Sequence, residues 1–244
     1  MDDYSVKDFI ENHAELISEE NFFQLYREAG MISRSFKRSL TEVFLTAGIN
    51  PLEYMDRVPS YFLEGSTIAE FDIPRGVTKI EGYAFADCCN LTHIQIPAGV
   101  RAIGSSAFLN CSSLTSITIP NSVISIGESA FWDCSSLTSI AIPDSVTSIG
   151  EGAFYFCNSL TSIAIPDSVT AVEKMTFKSC ANLAKVVLPA GITKIGKEAF
   201  IVCPKLTGID FKGTTAEWKT IEKGEYWREK TLKTVHCVDG DINL

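Results

Sequence analysis

Histidine is scarce in this sequence. Only His13, His93 and His236 occur among 244 residues, far apart and without a C-x-x-C or H-E-x-x-H pattern beside them, so no zinc ligand set can be assembled from local spacing. Positive charge is also short: 21 Lys+Arg stand against 30 Asp+Glu, a formal net charge of -9. That balance repels phosphate backbones and anionic headgroups, which argues against nucleic-acid and membrane-surface partners. No run approaches the roughly 20 apolar residues of a bilayer span. The start Met1-Asp2-Asp3-Tyr4-Ser5 is acidic where a secretory signal would be basic and then apolar. A cytoplasmic location is expected, with surface display or secretion expected instead if an export signal has been removed.

Catalytic and cofactor motifs are equally thin. Gly191-Ile-Thr-Lys-Ile-Gly196-Lys197-Glu198 nearly spells a phosphate-binding loop, but Glu198 replaces the magnesium-binding hydroxyl and would repel phosphate. Gly127-Glu-Ser129-Ala-Phe131 resembles a nucleophile elbow whose last glycine has become a phenylalanine, so close backbone approach is lost. Both stretches are better read as repeat turns. No convergent set of titratable groups emerges, and neither an enzyme nor a cofactor is expected.

What the sequence does have is a period. Phe85, Phe108, Phe131, Phe154, Phe177 and Phe200 follow one another at the same interval as Cys88, Cys111, Cys134, Cys157, Cys180 and Cys203. Leu91, Leu114, Leu137, Leu160, Leu183 and Leu206 keep that step, as do apolar pairs such as Ile94/Ile96 and Ile117/Ile119 with a proline after most of them. Full units begin at 68, 91, 114, 137, 160 and 183, and a truncated one at Leu206. Such repetition means a solenoid, because one unit cannot bury its own apolar face and stacked units can.

In Leu114-Thr-Ser-Ile-Thr-Ile-Pro120 the apolar residues alternate with small polar ones, the pattern of a half-buried strand ended by a proline that cannot donate to a ladder. Asn121-Ser122 supplies a turn, Val123 and Ile126 point inward, Gly127 permits a bend, and Ala130-Phe131 returns to the core before Cys134 closes the circuit. Stacked at about 4.8 Å, roughly six and a half coils would make a rod about 30 Å long.

The pattern Leu-x-x-Ile-x-Ile-Pro-x-x-Val-x-x-Ile-Gly-x-x-Ala-Phe-x-x-Cys resembles the BspA-like, Treponema-type leucine-rich repeat from residue 68 to about 211. It fits best over Leu114–Asn158. The unit from 160 departs from it, with Val172, Glu173 and Thr176 in place of Ile, Gly and Ala. The tail around Phe211, Trp218, Ile221, Leu232 and Val235 is similar to the family's closing segment. The resemblance implies an α+β repeat fold, a right-handed leucine-rich-repeat solenoid of about 6–7 coils with a helical N-terminal cap and a small C-terminal cap. It also implies protein binding, often at bacterial or protist surfaces in adhesion.

Three regions follow: 1–66 as an α-helical cap, 67–213 as repeats, 214–244 as the closing segment. Residues 1–66 hold twelve acidic and six basic residues. Capping and apolar spacing predict helices over 5–17, 19–29 and 35–47, then a short turn from Asn50-Pro51 to Met55. A capped helix is predicted from Thr214, with Phe211, Trp218, Tyr226 and Trp227 plugging the last coil.

Stacked coils bring equivalent cysteines within disulfide range, yet their side chains point in parallel whereas a disulfide needs converging Cβ vectors. Reduced core thiols are expected, with Cys89 and Cys237 the exceptions.

A partner surface follows from the alternation. Residues beside the inward ones face out on the concave sheet; Glu70, Asp72, His93, Gln95 and Lys185 depart from the Ser/Ala/Thr filling of its middle and are the better candidates, with Ser116 and Thr118 beside them on the same face. Trp132 and Tyr155, expected to be exposed on the opposite side, form an alternative patch. The expected function is non-enzymatic protein–protein interaction through the concave face, the acidic helical cap or both. An intracellular adaptor or inhibitor is expected, with a phage or other mobile element as one source. The alternatives are a surface adhesin, or an N-terminal effector domain with the repeats as scaffold.

Overall fold

The computed structural model describes Thr41, Leu45 and residues 50–244. The helices expected over 5–17, 19–29 and 35–47 lie outside the described residues, apart from those two positions. From residue 50 the chain opens with a 3-10 turn, Pro51–Tyr54, capped by Asn50, whose side chain accepts from the Leu52 N–H at 3.0 Å. The elements then run β1 (Arg57–Val58), β2 (Glu70–Asp72), β3 (Lys79–Ile80), β4 (His93–Gln95), β5 (Ala102–Ile103), β6 (Ser116–Thr118), β7 (Ser125–Ile126), β8 (Ser139–Ala141) and β9 (Ser148–Ile149). They continue as β10 (Ser162–Ala164), β11 (Ala171–Val172), β12 (Lys185–Leu188), β13 (Lys194–Ile195), β14 (Gly208–Phe211), α1 (Thr215–Thr220), β15 (Glu222–Lys223), β16 (Thr234–Cys237) and β17 (Gly240–Asn243).

Each coil therefore contributes two strands. The short, odd-numbered ones pair in parallel from β1 to β9 and again from β11 to β15. The longer, even-numbered ones pair as β2–β4, β6–β8 and β10–β12–β14–β16. Each set has eight rungs from β1 to β16. The molecule is a parallel β-solenoid of eight turns with little helix among the described residues, rather than of six to seven coils. The extra turns lie at the ends, where the repeat pattern has decayed. At the start, β1 pairs with β3, and Phe62 packs edge-on against Phe85 at 6.3 Å, one repeat step ahead of it. At the finish, β16 pairs with β14 after an insertion that carries α1.

A third line of backbone bonds stitches the coils where neither strand set runs. The Phe108 N–H donates to the Ala130 carbonyl, that of Phe131 to Ala153 and that of Phe154 to Thr176, at 2.8 to 2.9 Å. Inside this wall the repeat phenylalanines form a column from Phe85 to Phe200, neighbouring centroids 5.4 to 5.5 Å apart and planes within 6° of parallel. Each is fully buried. Two positions per coil, such as Ser129 (φ 54°) and Asp133 (φ 55°), adopt left-handed backbone and let the wall turn.

The six repeat cysteines are free and buried; Cys89 is exposed and Cys237 half-buried. Their thiols are not passive. Cys134 Sγ donates to the Phe108 carbonyl at 3.2 Å and Cys157 Sγ to that of Phe131 at 3.2 Å, so each ties its coil to the previous one.

The closing segment contains α1, with a complete capping box between Thr214 and Glu217. Trp218 is buried and meets Phe211 at 5.3 Å and Trp227 at 6.0 Å. Tyr226 does not join this plug, contrary to expectation. Its left-handed backbone (φ 53°) turns the ring outward, and it is 73% exposed. β17 then folds back antiparallel on β16.

Candidate functional site

The longer strands present one continuous face, because their residues alternate exposed, buried, exposed. β2 buries Phe71 and shows Glu70 and Asp72; β4 buries Ile94 and shows His93 and Gln95; β6 buries Ile117 and shows Ser116 and Thr118. Lys185 is exposed at the start of β12. All seven sequence-derived candidates thus reach solvent on the same strand set.

The structure gathers them unevenly. Register sets Glu70 beside His93 and Asp72 beside Gln95. Lys185 stands apart, beside Ser162, and forms an ion pair with Asp210 at 3.4 Å. Further along, Lys212 pairs with Asp167 at 2.8 Å. Glu70 and Asp72 have no ion-pair partner among the described residues. Among the described residues the acidic charge at the start of the face thus has no ion-pair partner, while charges near its finish neutralise one another.

Sequence reasoning missed the shape of this end. A groove of about 940 Å³ runs beside β2, β4 and β6 and is lined by Asp72, Gln95 and Thr118 on the strand side. Asn50 and Glu53 close it from the 3-10 turn, and Pro74, Pro97 and Pro120 stand in a row along its floor. The repeat interval of those prolines was the available signal, since a residue kept at one point of every coil becomes a stripe on the rod.

The strand ladder is also open here. β2 bonds to β4 and β6 to β8, but no backbone hydrogen bond joins β4 to β6 among the described residues. A crevice of about 120 Å³ between them is lined by His93, Gln95, Ser116 and Thr118.

Trp132 and Tyr155 are half-buried rather than exposed. Their rings meet at 4.4 Å, Tyr155 stacks on Phe156 at 4.3 Å, and the Lys178 ammonium lies 5.5 Å from the Tyr155 centroid. Lys178 bonds to Glu198 at 2.5 Å, which raises the lysine and lowers the carboxyl from their ordinary values. Ring faces spent on one another make this first a packing cluster.

The motif near-misses resolve as repeat geometry. A Cβ on Gly196 would lie 2.5 Å from the Lys174 nitrogen, so the glycine lets coils approach and cradles no phosphate. Ser129 is buried in a left-handed turn. Among the described residues no group of three or more His, Cys, Asp and Glu is placed to hold a metal, and no helix is long and apolar enough to cross a membrane.

Comparison with known proteins agrees with this geometry. The family model for the BspA type leucine rich repeat region matches residues 56–154 and 101–233, in six copies. The crystal structure of a T. pallidum leucine-rich repeat protein is 29% identical, with 71% of this chain and 80% of that one aligned at a TM-score of 0.59. A leucine-rich cell surface protein from Faecalibacterium prausnitzii is 26% identical over 64% of this chain and 62% of its own, TM-score 0.31. A leucine-rich repeat protein from Bacteroides ovatus is 26% identical over 70% and 54%, TM-score 0.44. The chain thus spans less than two thirds of the last two. No curated protein matches it.

Proposed function

The chain belongs to the BspA-type leucine-rich repeat family, and from that premise we propose that it is a non-enzymatic scaffold binding a protein partner on the open face of its longer strands. One observation carries this reading. The exposed side chains of β2 and β4 differ from the Ser, Thr and Ala of the middle strands and hold carboxylates without an ion-pair partner among the described residues, Glu70 and Asp72, next to His93 and Gln95. A surface of fixed backbone and variable side chains suits recognition of one partner among many. Ser116 and Thr118 extend the contact, and Lys185 marks its far margin. In this role the protein serves as an adaptor or an inhibitor.

The test is affinity capture with the immobilised chain, followed by association kinetics with the captured protein. Reversing Glu70 and Asp72 to lysine should slow association by about tenfold or more at low salt, because exposed charge acts mainly on the on-rate. Replacing Lys185 with glutamate should change it far less. Unchanged kinetics in the first variant, with loss of binding in Trp132→Ala or Tyr155→Ala, would move the interface to the aromatic cluster.

A further inference from the structure

We infer that the groove between the 3-10 turn and strands β2, β4 and β6 receives an extended segment of the partner that carries lysine or arginine, an inference that rests on the protein-binding reading above.

Three independent features meet in it. The first is shape and polarity. A space of about 940 Å³ has an apolar floor of Ile73, Pro74, Ile96, Pro97 and Pro120. It crosses three coils, about 10 Å at the rung spacing, which is room for roughly three residues of extended chain. The second is charge. Glu53 and Asp72 line the groove and Glu70 stands on the same strand as Asp72; none of the three has an ion-pair partner among the described residues. Arg75 is the one cation in the lining among the described residues. Farther along the longer strands Asp167 and Asp210 already hold lysines, while Asp144 after β8 is exposed and has no ion-pair partner among the described residues. A cationic side chain entering this end thus gains attraction without displacing an internal pair.

The third feature is the open ladder. Between β4 and β6, as again between β8 and β10, the coils forgo the backbone bonds that join β2 to β4 and β6 to β8. The polar side chains of Gln95 and Thr118, one on each lip of that opening, also line the groove. Extended peptides are recognised by hydrogen bonds to their main chain, with side-chain pockets adding selectivity. Gln95 and Thr118 supply the first and the carboxylates the second. A folded basic surface would meet the rim but could not follow the floor, so a strand-like segment is the occupant that uses all three features.

Fluorescence anisotropy with a labelled, end-blocked peptide of alternating valine and lysine tests the assignment on the full chain. The same peptide with glutamate for lysine serves as control. The lysine peptide should bind saturably and the glutamate peptide should not. The double variant Glu53→Lys/Asp72→Lys should weaken the lysine peptide by about tenfold or more, while Asp167→Lys/Asp210→Lys, an identical change in net charge, should leave it within about twofold. Far-UV circular dichroism and the unfolding midpoint confirm that each variant is folded. Should either pair misfold, the single variants Asp72→Asn and Gln95→Ala take its place, and each should weaken binding. Equal losses in the two double variants would mean unspecific attraction to an acidic protein and would overturn the groove assignment. Absence of saturable binding would overturn it too. If the captured partner still depends on Glu70 while this peptide ignores Asp72, the scaffold reading stands and the groove reading falls.

Discussion

Gly127 carries no side chain because the previous coil already fills the space. A Cβ there would stand 2.6 Å from the Ser105 nitrogen and 2.7 Å from the Gly104 carbonyl carbon, backbone atoms held by their own ladder. Phe131 fills the opposite role, occupying volume in the ring column between Phe108 and Phe154. Truncating it to alanine opens a cavity that its rigid neighbours cannot close, at an expected cost of about 3–5 kcal/mol. Ser139→Ala on the open face should stay within about 0.5 kcal/mol. Chemical denaturation of the two variants measures the contrast, and similar midpoints would invert the assignment of inner and outer faces. The thiols divide in the same manner. With a maleimide reagent, Cys89 should label first and Cys237 more slowly, being half-buried, while Cys111, Cys134 and Cys157 should react only on unfolding. Labelling of those three at the native rate of Cys89 would show that the coils open freely.

At the scale of elements, α1 is short enough that its cap decides whether it forms. The Thr214 side chain accepts from the Glu217 N–H at 3.2 Å, and the Glu217 carboxylate accepts from the Thr214 N–H at 2.7 Å. Thr214→Ala should cost about 1 kcal/mol. Trp218 fluorescence during unfolding reads the loss, and an unaltered midpoint would mean that packing alone holds the helix. The Thr214 N–H and hydroxyl hold the Glu217 carboxyl below its ordinary value. A depressed value makes this support present above the unfolded carboxyl range and lost as pH falls through the folded value. The helix was legible in the sequence because a capping box is a local signal. So were the longer strands and the exposure of Glu70, Asp72, His93, Gln95, Ser116, Thr118 and Lys185, since alternation over three residues fixes which side faces water. The second strand of each coil was not legible, because two residues such as Ser148 and Ile149 carry no period. The first rung was missed since it retains little of the repeat beyond Val58 and Phe62. The groove escaped notice because it arises between coils and the 3-10 turn, a juxtaposition that no local spacing encodes.

For the molecule as a whole, the cysteine column predicts how it fails in base. Burial pushes the thiols of Cys111, Cys134, Cys157 and Cys180 well above the ordinary 9.0, and that of Cys203 up to about 12. Raised values mean that the stabilisation is complete below pH 9.0 and is lost as pH rises through the folded values. Each thiol that ionises only on unfolding steepens the fall by about 1.4 kcal/mol per pH unit. Stability measured between neutral and strongly alkaline pH should therefore decline less steeply in Cys134→Ala than in the parent, and parallel curves would show that the column does not govern the decline. The antiparallel course of β17 has a consequence of another kind. A rod of stacked coils has two unlike ends, and joining one end to the other of an identical rod is a contact that never closes on itself; repeated, it spins a thread. β17 reverses direction at the edge where another parallel rung would dock, and Asp241 stands exposed on it. A single hairpin thus sets the boundary between a discrete particle and a growing fibre.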